Sequence, residues 1–304
     1  MSRFDVVGFG ALNLDKLFKV NKLAKAEEES FVVEYAEACG GSAANTAVGL
    51  ARLGSEVGYI GKVGCDREGD VLIQDFCKEG VNTDGVVRAQ QGKSGVVMGF
   101  VDKKGARALY VNPGVNDNIN IDEVNPRYAS QAQFLHLTSF VGEESFQTQK
   151  KLLDAIPDDT KVSFDPGALY ARKGYVALEP IIRKTYVLMP NALELTILTG
   201  EISYRKGADI MINKGVKIVA VKLGSDGCYV TDGHEQHLIE PFKVDVIDTT
   251  GAGDAFCAGF LRGLVTGKSL FKCGRLGNFV ASRCVMKMGA RAGLPAAEDL
   301  ELLS

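Results

Sequence analysis

Asp254 stands in the stretch Asp248-Thr-Thr-Gly251-Ala252-Gly253-Asp254-Ala-Phe256, whose residue types suit the handling of a negatively charged group. The stretch follows an apolar run, Phe242 to Ile247, that reads as a buried strand. It leads into a helical pattern with Phe256, Phe260, Leu261 and Leu264 on one face. A glycine-rich turn at the head of a helix aims unpaired backbone N–H groups and the positive end of the helix dipole at one point. Gly251 and Gly253 let the main chain approach a ligand closely, and Asp254 puts a carboxylate where the amides converge. Beside an anion cradle, a carboxylate has a chemical use if it takes the proton of a hydroxyl attacking a phosphate. The same residues also fit a plainer role. Asp at a helix start is commonly an N-cap, and Gly-x-Gly turns join many strands to helices.

Other polar residues sit where strands give way to turns or helices. Asn13 and Asp15, after the opening strand FDVVGFG, are two apart and share a side if the chain stays extended, which suits the hydroxyls of a polyol. Gly40-Gly41-Ser42-Ala43-Ala44-Asn45-Thr46-Ala47 opens a helix by small residues, and Asn45 offers a donor and an acceptor one turn in. Close helix–sheet packing would equally call for such residues. Asn191 and Glu194, in Pro190-Asn-Ala-Leu-Glu194, are spaced as an N-cap and its partner in a capping box. The alternative puts Asn191 near a phosphate and Glu194 on a water of Mg²⁺. Lys222-Leu-Gly224-Ser-Asp-Gly227 is a glycine turn, either a hairpin or a tight edge against a nucleotide. Asn278, on a late helix, is placed to reach a base. His136, His234 and His237 share no ligand spacing and receive no role. Gly92-Lys93-Ser94 and Gly267-Lys268-Ser269 lack the earlier glycine of a P-loop, with Val87 and Arg262 in its place.

The elements that must position these residues follow from periodicity. From Phe134 onward strands and helices alternate, with strands at 134–138, 162–165, 186–189, 218–222 and 228–231, which predicts a mostly parallel sheet covered on both faces. Residues 16–38 and 95–111 instead alternate apolar and polar side chains, the second broken at Asp102-Lys-Lys-Gly105, and read as a small β layer projecting as a lid. An exposed face on that layer would pair in a homodimer or gate the site. No linker divides the 304 residues, so one domain is expected over 1–304. A net charge of −3 gives no reason to expect nucleic acid or an anionic membrane as partner. Seven scattered cysteines without a C-x-x-C pair suggest a reducing compartment. No leader or membrane-length apolar run is visible, so a cytoplasmic protein is expected.

Together these motifs resemble the ribokinase-like (PfkB) family of carbohydrate and nucleoside kinases, over essentially the whole chain. DTTGAGDAF at 248–256 resembles the family's C-terminal signature. GGSAANTA at 40–47 with GKVGCDREG at 61–69 resembles the N-terminal one, and PNALE at 190–194 the N-x-x-E motif. The resemblance implies a three-layer α/β/α fold with a β lid, and transfer of the ATP γ-phosphate to a primary hydroxymethyl group of a small sugar. It implies Asp254 as general base and the Gly251, Ala252, Gly253 and Asp254 amides as anion hole. Asn13, Asp15, Gly40, Gly41 and Asn45 would line the acceptor site. Asn191 would serve phosphate and Glu194 magnesium, while Lys222, Gly224, Gly227 and Asn278 border the nucleotide. Asp248 and Thr250, with backbone near Gly289, would hold a monovalent cation such as K⁺ where that site is used. Ser42 stands where ribokinases typically carry lysine, and Gly167 where Asn is common after Asp165-Pro166. Those departures leave room for a nucleoside, with Tyr110, Phe100 or Phe140 as a shelf for its base, or for another furanose or ketose. A non-catalytic ligand-binding relative is the remaining reading.

Overall fold

A computed structural model describes residues 3–303 of the chain. In chain order its strands are β1 (Phe4–Phe9), β2 (Asn13–Val20), β3 (Val32–Gly40), β4 (Val57–Gly64), β5 (Asn82–Ala89), β6 (Gly95–Val101), β7 (Arg107–Asn112), β8 (Ala132–Leu137), β9 (Lys161–Phe164), β10 (Thr185–Leu188), β11 (Ile218–Lys222), β12 (Cys228–Thr231) and β13 (Gln236–Ile239). Nine of them form one sheet in the order β13-β12-β11-β10-β9-β8-β1-β4-β5. It is parallel from β5 to β11 and closes with the antiparallel pairs β11–β12 and β12–β13. Parallel strands have helices on both faces and so read as continuous apolar runs. β4 is buried along its whole length. Successive side chains of a strand point to opposite faces, and the core divides accordingly. Val6 joins a cluster with Val48, Phe76, Phe260 and Leu276, while Val7 joins one with Phe146, Leu178, Leu195 and Met211. The architecture is the three-layer α/β/α sandwich expected from the alternating pattern.

The remaining strands form a second sheet, β3-β2-β6-β7, with β2 and β6 parallel and its other pairs antiparallel. It comprises the two segments whose alternation set them apart in the sequence. Its reach inward exceeds that expectation, because β2 begins at Asn13 and β3 ends at Gly40. Asn13 and Asp15 therefore belong to the root of this layer. Two apart on an extended strand, they share one of its faces, with Gly40 and Ala38 as their respective partners on β3.

One expected strand is absent. Phe242–Ile247 is irregular, with Val246 59% and Ile247 62% exposed, and the Ile247 and Asp248 amides both turn to the Val285 carbonyl. The run is apolar because Phe242, Val244 and Val246 face a cavity. Its hydrophobicity lines a pocket instead of a core, a distinction that periodicity does not register.

Candidate active site

The chain leaves β1 toward β4 and β5 on one side, and later lays β8 through β11 on the other. A crevice at the carboxyl ends of strands beside such a reversal is where open α/β sheets bind ligands. Asp165 follows β9, Asn191 follows β10, and Lys222 ends β11. All three line one cavity of roughly 730 Å³ together with Asp254 and Ser42. That volume is ordinary for a small-molecule site.

Asp254 is not the cap of its helix. The helix Ala252–Val265 is capped by Gly251 in the left-handed region, φ 77°, and makes no side-chain cap bond. Alanine at position 251 would set its Cβ 2.6 Å from that of Ala290, so the turn needs glycine for space as well as for φ. The Asp254 carboxylate instead reaches across to the helix Ser42–Arg52. Ser42 Oγ donates to Oδ1 at 2.6 Å, and Asn45 Nδ2 donates to Oδ2 at 2.8 Å. Two helix starts therefore meet at one carboxylate. Small residues let them approach: a Cβ on Gly49 would lie 2.8 Å from that of Ala258, and one on Gly41, at φ 107°, would lie 2.1 Å from the Ala11 carbonyl oxygen. Burial pushes the Asp254 carboxyl up to about 6; the Ser42 and Asn45 bonds resist the rise, Asp165 adds to it, and Lys222 opposes it. A carboxyl in that range is poised for proton transfer near neutrality.

Backbone donors and a buried ion pair stand beside it. The first amides of a helix have no partner within it, and Gly253 and Asp254 occupy such positions, whereas the Ala252 amide turns back to the Thr249 carbonyl at 3.2 Å. Lys222 Nζ lies 3.4 Å from where a Gly253 Cβ would sit, and 2.5 Å from Asp165 Oδ2. The cavity also has apolar lining, from Phe242, Val244, Val246 and Val285. Gly224 and Gly227 border it with φ of 62° and 83°.

Asn191 and Glu194 do form a capping box, each accepting the other's backbone N–H at 2.8 Å, yet both also line the cavity. Asn278 lines it too, but its amide donates to the Ile239 and Glu240 carbonyls at 3.0 Å each. The Ile239 carbonyl ends β13 and the Glu240 carbonyl follows it, so the Asn278 amide donors are engaged at the edge of the sheet. Asp248 Oδ1 accepts from the Thr250 amide and hydroxyl, and Oδ2 from the Gly289 amide, so this carboxylate ties the turn to the loop after the last long helix, Leu270–Cys284.

The residues expected at the acceptor, Asn13, Asp15, Gly40, Gly41 and Asn45, do not line that cavity but cluster at the root of the second sheet and the start of the helix Ser42–Arg52. Asn116 accepts the Leu12 amide and donates to the Leu12 carbonyl and Asn13 Oδ1, which fixes Asn13 at the lid root. A Cβ on Gly40 would fall 2.5 Å from Asp15 Oδ2, so only glycine leaves room for that carboxylate. Burial pushes Asp15 up to about 6, against the pull of Arg291. Ser42, Asp165, Asn116 and Arg291 carry no assigned role in the sequence reading. Asp165 was the findable one, as an acid directly after an apolar strand. Ser42 lies within the glycine-rich helix start already singled out, whereas Asn116 and Arg291 sit in segments with no local pattern and reach their places through long-range contacts.

The comparisons with known proteins agree with this geometry. A profile described as pfkB family carbohydrate kinase matches residues 3–297. An uncharacterized sugar kinase of Archaeoglobus fulgidus is 49% identical over 255 residues, covering 83% of this chain and 100% of its own. The ATP-dependent ribose-1-phosphate kinase of Halopiger xanaduensis is 32% identical over 94% of each chain. A crystal structure of ribokinase from Thermotoga maritima superposes with a TM-score of 0.88 at 28% identity, over 98% of both chains. The chain belongs to the pfkB family of carbohydrate kinases.

Proposed function

We propose that this kinase transfers the γ-phosphate of ATP to a hydroxymethyl group of a small sugar, with Asp254 as general base. The observation that carries this reading is the placement of the Asp254 carboxylate. It stands at the head of a helix, is held by Ser42 and Asn45 of a second helix, and opens onto the cavity. The base accepts the hydroxyl proton as that oxygen attacks phosphorus. The Gly253 and Asp254 amides, with the nearby Lys222 ammonium, stabilise charge gathering on the transferred group. The apolar lining from Phe242, Val244 and Val285 suits the face of a nucleobase. The relative from Halopiger is named as ATP-dependent, which supports the donor.

Magnesium fits the site in a limited way. Glu194 lines the cavity with one carboxylate oxygen beyond the capping box, and Mg²⁺ commonly holds few protein ligands and several waters. When bound it would supply charge neutralisation on the phosphates. Asp248 and Thr250 would face a monovalent cation through the turn they close.

The second sheet would fold over the acceptor and exclude water as a competing acceptor. Its strands leave Tyr35, Leu109, Tyr110 and Val111 more than half exposed, a surface suited to a second copy of the chain. A nucleoside acceptor would need a shelf. Phe140 is core, packed edge-on to Phe9, and Phe100 is stacked on Phe18 at 4.9 Å within the lid. Tyr110, edge-on to Phe100 and 60% exposed, is the one of the three free to serve as a shelf, so the acceptor panel includes nucleosides beside sugars.

ADP release with ATP and Mg²⁺ over a panel of free sugars, sugar phosphates and nucleosides tests the assignment. Asp254→Asn should cost about 10²–10⁴ in turnover with acceptor binding largely kept, the usual worth of a general base. Equal loss of binding and rate would remove Asp254 from that role.

A further inference from the structure

Arg291 lies in the loop after the last long helix, outside every motif that marks this chain as a kinase. Its side chain is 10% exposed. Nε donates to Asn45 Oδ1 at 2.8 Å, Nη1 is paired with Asp75, and Nη2 is buried without a hydrogen-bond partner. Its carbonyl oxygen accepts from Arg52 Nη1 at 2.7 Å, and Arg52 is held in turn by both oxygens of Glu79.

The Asn45 side chain is the link to Asp254. An amide presents an acceptor and a donor on opposite corners, and a flip exchanges them. An N–H donor fixed on one corner admits only the carbonyl there, so the NH₂ must face Asp254 Oδ2, where it donates at 2.8 Å. With Ser42 Oγ on Oδ1, the carboxylate is then held by two donors and its remaining lone pairs are fixed in direction. An Asn45 released from Arg291 could present its carbonyl to the carboxylate, which repels it and withdraws one of those donors.

Resting on the reading of Asp254 as general base, we propose that Arg291 is a positioning residue for catalysis. Held by Asp75, it locks the Asn45 amide in the orientation that aims the Asp254 carboxylate at the acceptor hydroxyl. The unpaired Nη2 is a cost the site carries, and the guanidinium is seated by the bonds of its other two nitrogens, Nε to Asn45 and Nη1 to Asp75.

A tether that merely stabilised the loop would change folding stability without coupling to Asn45. The test is therefore a double-mutant cycle on kcat, with the pH profile as second readout and thermal melting as the check on folding. R291M should lower kcat roughly tenfold to a hundredfold, the scale on which a misplaced reacting group loses rate. N45A should do the same, and R291M/N45A should lose no more than N45A alone. The acid limb of kcat should move to higher pH in both R291M and N45A, since each withdraws a bond that holds Asp254 down, while R291M also frees Asp15 from the pull of the Arg291 cation. The other groups that face or approach Asp254 are Asp165, Lys222, Tyr59, Cys257 and Cys284, and these variants leave all of them in place. R291Q, whose amide can still donate to Asn45 Oδ1, should fall between wild type and R291M, and it replaces R291M in the cycle if that variant does not fold. Multiplicative losses in the double variant, or an unmoved acid limb, would overturn the proposal. Wild-type turnover in D254N would instead overturn the reading beneath it, with the two failures distinguishable.

Discussion

Lys222 Nζ lies 2.5 Å from Asp165 Oδ2, and the two side chains are only 13% and 6% exposed. The pair joins the ends of β9 and β11 and places an ammonium under the amides of the Gly251 turn. A buried pair is costly to assemble, and more costly to leave half-made. Asp165→Ala strands the lysine and should cost about 3–5 kcal/mol of stability, read by urea unfolding at pH 7.5. Asp165→Asn keeps one acceptor and should cost less. A loss under 1 kcal/mol for Asp165→Ala would mean that Lys222 finds another partner.

The acidity of the site sets a second expectation. Asp254 and Asp15 are both pushed up from 3.8 to about 6, in each case by burial first. A base must be ionised, so kcat/KM should fall below pH 6 and not below pH 4. Stability runs the other way. Between pH 3.8 and about 6 the folded chain holds these protons more tightly than the unfolded chain does, so their contribution declines as pH rises. Asp15 has no hydrogen bond to lose, which makes D15N a clean probe. It should raise the melting temperature at pH 7.5 and leave it unchanged at pH 4.

These two cases mark how far the sequence could be read. The sheet was legible because parallel strands bury both faces and announce themselves as apolar runs, and the lid because its alternation broke that pattern. Asp254 and its glycines stood together in nine residues, so local chemistry was enough to raise the question of a base. The answer was not local. Ser42 and Asn45 approach Asp254 from more than two hundred residues away, and Arg291 reaches Asn45 from a similar distance. No spacing rule connects such positions. Phe242–Ile247 misled for a related reason, since apolar residues that face a ligand and those that face a core look alike in one dimension.

Gly41 offers a test of the helix start that carries Ser42 and Asn45. Its φ of 107° lies outside what an L side chain adopts, and a Cβ there would meet the Ala11 carbonyl oxygen at 2.1 Å. Strain at such a position costs on the order of 1–3 kcal/mol before the clash is counted. Gly41→Ala should therefore lower both the melting temperature and turnover. Gly215→Ala, at φ 105° with open space around it, should lower the melting temperature alone. A Gly41→Ala variant with full turnover would detach this helix start from the chemistry.

Magnesium dependence should follow the nucleotide and not the protein. Among the described residues no group of three or more His, Cys, Asp or Glu side chains could hold a metal ion. Glu194 alone faces the cavity with an oxygen to spare, while Asp165 is committed to Lys222. One carboxylate is a weak site for an ion that dehydrates reluctantly, but phosphate oxygens can supply the rest of its shell. Magnesium alone, at millimolar concentration, should leave the melting temperature unchanged, and ATP with magnesium should raise it through binding linkage. Removing the ion with EDTA should abolish turnover without unfolding the chain. Glu194→Gln should raise the magnesium concentration needed for half-maximal rate while sparing the fold, because the amide oxygen can still accept the Asn191 N–H. A rise in melting temperature with magnesium alone would point to a resident metal site built by the protein itself.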